Sequence, residues 1–138
     1  MEKKKRVALV LLVVFSLFLL ASAVAEGIVP DRRYAYTASI SANLSLSDGV
    51  ASCSGNVQPS NKLHSASITV KLQQNAGGTW TTIASWSGSA SSGLTAAASG
   101  SKSVSSGYDY RVVSDGKIKN SGGTVLESPS ATSPTKSY

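Results

Sequence analysis

From Tyr34 to Leu46 the chain reads YAYTASISANLSL, and its apolar residues fall on alternate positions. Tyr34, Tyr36, Ala38, Ile40, Ala42, Leu44 and Leu46 share one parity; Ala35, Thr37, Ser39, Ser41, Asn43 and Ser45 share the other. Successive side chains of a strand point to opposite faces, so a period of two over this length predicts a strand with one buried face and one wet face. Asp48-Gly49 follows, a pair that accepts the positive φ angles of a two-residue hairpin. VASCSGNVQ then predicts the antiparallel partner, with Ala51, Cys53, Gly55 and Val57 on the inward parity.

The same grammar repeats downstream. Pro59 interrupts pairing, because proline cannot donate to a ladder. SASITVKLQQ resumes it with Ala66, Ile68, Val70 and Leu72 inward, and Asn75-Ala76-Gly77-Gly78 predicts a second hairpin that returns through TWTTIASW. After the Gly/Ser-rich SGSASSG and the weakly patterned LTAAASGSKSV, YDYRVVS predicts another strand. Asp115-Gly116 reads as its hairpin turn, and Gly122-Gly123 as a bulge or kink in the return strand KIKNSGGTVLES. The tail SPSATSPTKSY is Ser, Thr and Pro rich and reads as disordered over residues 128–138. Six to seven short strands with turn signals about every 8 to 12 residues, and strict alternation without long apolar runs, predict an all-β antiparallel sandwich over residues 34–127.

Ahead of this domain stand a basic cluster, Lys3 to Arg6, an apolar run from Val7 to Leu20, and small residues that offer A-x-A at Ala21/Ala23 and Ala23/Ala25. That order predicts a signal peptide over residues 1–25 with cleavage after Ala25, followed by a lead over residues 26–33; an uncleaved anchor is the alternative. The expected location is secreted, extracellular, with no membrane association after cleavage. The formal charge is +6, but the leader holds four of the thirteen Lys and Arg and one of the seven Asp and Glu, leaving nine against six. A dispersed balance near +3 argues against nucleic acid, which needs a clustered basic face, and allows attraction to anionic surface polymers. With Cys53 as the one cysteine, no internal disulfide forms and packing alone must hold the fold; Cys53 reads as a small buried hydrophobe.

VSSGYDYRV, residues 104–112, resembles the corner that leads into a central strand of fibronectin type III and related immunoglobulin-like domains. There an apolar residue and a glycine turn precede a tyrosine three positions on. The resemblance implies that Tyr110 is the corner tyrosine, with its ring in the core and its hydroxyl bonded to backbone a few residues upstream. Tyr108, Tyr110 and Val112 would face the core, and Asp109 and Arg111 the solvent. The layout of leader, short sandwich and LQQNAGGTWTTIASW is also similar to small uncharacterised secreted proteins of Gram-positive bacteria, which implies an extracytoplasmic location and no established activity.

No catalytic residues, metal ligands or cofactor are expected. His64 is the one histidine, reads as a solvent-exposed loop residue, and stands without a G-x-S-x-G elbow; the carboxylates lack calcium-loop spacing. Asn43-Leu44-Ser45 fits a glycosylation pattern on the wet parity. The ligand-binding candidates are Trp80 and Trp86, six positions apart and therefore on one face of an unbroken strand, with Ile83 on the other. If Ile83 faces the core, the indoles form an exposed platform suited to sugar rings or a protein partner; if the tryptophans face the core, the platform is lost, and a bulge would place all three inside. Arg111, Lys71 and Lys102 are possible polar support. The expected function is a non-catalytic binding or cell-surface interaction module for a cell-wall polysaccharide or a protein partner. Alternatives are an assembly subunit that pairs through a sheet edge, and a cationic protein antagonistic to other cells.

Overall fold

The computed structural model describes residues 34–138. The expected leader and lead, residues 1–25 and 26–33, lie outside them. Nine strands follow in order: β1 (Thr37–Ser47), β2 (Val50–Pro59), β3 (Ser65–Ala76), β4 (Thr79–Ala90), β5 (Ala96–Ser103), β6 (Asp109–Lys119), β7 (Val125–Glu127), β8 (Ser130–Thr132) and β9 (Lys136–Ser137). They form two antiparallel sheets. One has the order β1-β2-β5; the other runs β4-β3-β6-β7, with β8 and β9 also pairing with β6. The expected all-β antiparallel sandwich is what the described residues form, with nine strands in place of the expected six to seven because short pieces beyond residue 127 join the second sheet.

The two hairpins read from Asp48-Gly49 and Gly77-Gly78 are present. Ser47 pairs with Val50 around Asp48 (φ 52°) and Gly49 (φ 73°), and Ala76 pairs with Thr79 around Gly77 (φ 64°) and Gly78 (φ 88°). Positive φ at both central positions gives the turn a twist that matches its strands. Between the sheets lie Leu44, Val57, Ile68, Val70, Leu72, Tyr110, Val112 and Ile118, with Ala51 and Cys53 completing the layer. Burying a large apolar side chain of this kind contributes about 1.5–3 kcal/mol. Tyr110 is fully buried, and its hydroxyl donates to Ser105 O at 2.6 Å and accepts from Gln74 Nε2 at 3.0 Å. The bond to backbone five residues upstream is the one implied for a corner tyrosine.

Four expectations are corrected. The inward parity of β1 does not extend to Tyr34, Tyr36 and Ala38. A bulge between Thr37 and Ser39 shifts the register, so Thr37 is buried while Tyr36 is 40% exposed. Tyr108 lies before β6, outside the ladder that holds Tyr110, and is 38% exposed instead of facing the core.

Asp115-Gly116 is not a turn. Both residues lie within β6, where Gly116 faces inward; a Cβ there would meet Val57 Cγ2 at 3.1 Å, Pro129 Cγ at 3.2 Å and Ile40 Cδ1 at 3.3 Å. The glycine answers to crowding between layers, and the chain reverses at residues 120–124. There Asn120 Oδ1 accepts from the backbone N–H of Gly122 and of Thr124, each at 3.0 Å.

The tail is the fourth correction, because residues 128–138 complete the second sheet. Ala131 pairs with Ser114 and Lys136 with Tyr110, Pro129 is buried, and buried Ser133 exchanges two 2.8 Å bonds with Val112, donating from its N–H and accepting at Oγ. Pro129 and Pro134 split this last strand into pieces. Polar composition concealed it, since its role is to satisfy the outer backbone groups of β6.

Candidate functional site

The outer face of the second sheet carries the charged and aromatic side chains that the core excludes. On β4, β3 and β6 the pairing sets Thr82 beside Gln73 beside Arg111, with the row Trp80, Asn75 and Asp109 next to it. Arg111 reaches diagonally across β3 until its guanidinium carbon lies 4.2 Å from the centroid of the Trp80 ring. Its Nε donates to Gln73 Oε1 at 2.8 Å, and Gln73 Nε2 donates to Thr82 Oγ1 at 3.3 Å. A guanidinium stacked on an indole is held by the ring quadrupole, and the Gln73 bond fixes its rotation in the plane. No ion pair of Arg111 occurs among the described residues.

The two tryptophans do not share a face, which corrects the expected platform. Leu72 pairs with Ala84 but Gln73 pairs with Thr82, so Ile83 is one residue too many on β4 and the parity inverts there. Above the bulge Trp86 turns inward with Ala84 and packs at the margin of the core, joined by Ile83; below it Trp80 turns outward. Ile83 is thus neither exposed nor opposed to both indoles. Trp86 takes its place because β5 offers Gly100 opposite it, where a Cβ would overlap the indole. Trp86 therefore belongs to the packing, and Trp80 with Arg111 remains on the outer face.

Lys71 lies on the same outer face and forms an ion pair with Asp115, Nζ to Oδ2 at 2.9 Å; Ser130 Oγ also donates to Asp115, at 3.3 Å. An open groove of about 420 Å³ passes over this region, lined by Ser67, Thr69, Lys71, Asp115 and Lys117. Nearer the far end of β6, Ser137 Oγ donates to Asp109 at 2.6 Å. Lys102 stands on β5, in the other sheet, so it does not join Trp80 and Arg111. Asn43 is exposed on the outside of that first sheet, which bears Ser45, Ser52, Ser54, Ser99 and Ser101 and no charge on the same side.

His64 is half-buried instead of solvent-exposed. It sits 5.8 Å from Tyr36, ring centre to ring centre, and its buried Nδ1 has no hydrogen-bond partner among the described residues. Cys53 is 2% exposed, and burial pushes its thiol pKa up to about 11. A thiol so placed is protonated and inert at neutral pH. Among the described residues no group of three His, Cys, Asp or Glu is placed to hold a metal ion.

Sequence reasoning identified Trp80 and Arg111 separately; it missed Gln73 and Thr82, whose pairing depends on the bulge. It also missed Glu127, whose carboxylate accepts from Ala35 N at 3.0 Å, Tyr36 N at 3.1 Å and Thr37 Oγ1 at 2.7 Å, tying the start of the domain to β7. A lone glutamate after an apolar pair gives no local sign of so distant a partner. Neither models of known protein families nor curated protein sequences match this chain.

Proposed function

We propose that the chain is a secreted, non-catalytic binding module of the fibronectin type III kind, whose contact surface is the outer face of the second sheet around Trp80 and Arg111. The Tyr110 bond to Ser105 supports the fibronectin reading, as does the pairing of β4 with β3; in constant-type immunoglobulin domains the fourth strand joins the other sheet. The observation that carries the functional reading is the Arg111–Trp80 stack. Its guanidinium is held at the surface by Gln73 with its terminal nitrogens turned to no carboxylate among the described residues. An aromatic ring, a preoriented cation and flanking amide and hydroxyl groups suit an acidic polysaccharide of the cell surface, where ring contact and carboxylate pairing act together.

The test is retardation in native gels cast with polygalacturonate, with dextran as the neutral comparison. Slowing by polygalacturonate alone, lost in both Trp80→Ala and Arg111→Gln, supports the reading. Equal mobility in both gels, or retardation that survives both substitutions, removes it. The edge-pairing alternative draws on β1, an eleven-residue edge strand without charge or proline. Concentration-dependent self-association of a folded chain is its signature.

A further inference from the structure

The large apolar side chains left exposed lie at the two ends of the sandwich and off its faces. Tyr36, Leu63, Leu94 and Val125 mark one end, where the pairings Thr37–Pro59, Ser65–Lys119 and Val57–Ala96 bring the adjoining loops together; Val50, Tyr108 and Tyr138 mark the other. Leu63 is 71% and Leu94 59% exposed, the two highest values among these residues. Both occur in short turns whose backbones are tied. Leu63 N donates to Asn61 Oδ1 at 2.8 Å, Leu94 N to Ser91 O at 3.1 Å, and Gly93 N to His64 O at 2.8 Å, which joins one turn to the other. Gly93 has a φ of 77°, and a Cβ there would stand 3.0 Å from Lys62 O, so the turns touch. The leucines add nothing to the core, and a polar residue would serve either turn as well. What they do is project.

Among the described residues, positive charge predominates at this end over its one carboxylate, Glu127. Lys62 precedes Leu63, Lys119 pairs with Ser65, and Lys117 lies further from the end on β6, opposite Ser67. The nearby carboxylate, Glu127, is engaged by three donors from residues 35–37, while Asp115 is bridged to Lys71 and Asp48 and Asp109 belong to the opposite end.

We propose that this end docks on an anionic lipid surface, with Leu63 and Leu94 entering the boundary between headgroups and acyl chains and Lys62 and Lys119 against the headgroups. A protein interface centres on a closely packed, buried patch. Two projecting leucines on neighbouring turns offer points instead, which a fluid surface accepts, and a basic surround is what anionic lipid attracts. The docking surface is separate from the Trp80–Arg111 face and does not depend on a polysaccharide ligand.

The test is co-sedimentation with vesicles of equal parts phosphatidylcholine and phosphatidylglycerol. Residues 34–138 hold both sheets and the whole described core, so a chain that begins at Glu26 keeps the folded unit without the apolar run. Expected is binding to these vesicles, little binding to pure phosphatidylcholine, and about a tenfold or greater loss in the Leu63→Ser/Leu94→Ser double variant, with Lys62→Gln/Lys119→Gln weakening binding and flattening the salt dependence of what remains. Val50→Ser, at the far end, and Trp80→Ala leave binding unchanged. Absence of vesicle binding by the unaltered chain, binding indifferent to lipid charge, or binding unaffected by the leucine pair overturns the proposal. So does self-association that the leucine pair abolishes in the absence of vesicle binding, which would assign this end to a second copy of the chain.

Discussion

Cys53 shows how far one side chain can depart from its solution behaviour with no partner to shift it. Desolvation alone raises its thiol pKa from 9.0 to about 11, because the thiolate would have to be buried between the sheets. The unfolded thiol therefore loses its proton first. As pH rises through 9 the unfolded state is progressively favoured, and the loss levels off above 11. Denaturant titrations across this range should show roughly 2–3 kcal/mol of alkaline destabilisation in the native chain that is missing in Cys53→Ala, whatever that variant's stability at neutral pH. An equal alkaline slope in the two chains would rule out this origin. Tyr110 presents the opposite case, a buried polar group fully provided for. Tyr110→Phe strands Ser105 O and Gln74 Nε2 and should cost about 1–2 kcal/mol by urea midpoint with an unchanged m-value; a neutral result would mean that water replaces the hydroxyl.

Single elements reveal which parts of the molecule were legible in its sequence. β2 and β3 follow from period two alone, since each is a regular ladder whose inward residues are the apolar ones. β1 was legible from Ile40 onward and misleading before it, and β4 was misleading at its tryptophans, for one reason: a bulge inverts parity without any residue announcing it. β6 was obscured because Asp-Gly has two causes, a turn's need for positive φ and a crowded layer's need for no side chain. The last strand was illegible because it contributes hydrogen bonds more than apolar area. Its energetic weight is nevertheless measurable. Ser133→Ala leaves Val112 N–H without its acceptor in the core and should lower stability by about 1–3 kcal/mol, against a negligible change for Thr132→Ala on the exposed side; similar effects at both positions would return residues 128–138 to the status of an unstructured tail.

Taken whole, the molecule assigns different chemistry to different surfaces: hydroxyls without charge outside the three-stranded sheet, the Arg111–Trp80 stack and Lys71–Asp115 pair outside the other, and projecting leucines at one end. This partition was partly readable, because parity separates wet from dry residues, but the grouping of loops at an end depends on topology that no local pattern encodes. The bulge at Ile83 has a practical consequence of another kind. By placing one indole against Gly100 within the packing and the other beneath a guanidinium at the surface, it gives the folded chain two chromophores in unlike surroundings. Two single-tryptophan variants, Trp80→Phe and Trp86→Phe, would then divide the intrinsic emission into two channels. The indole of the first reports whether the sheets remain closed, and that of the second reports whether anything has arrived on the outer face.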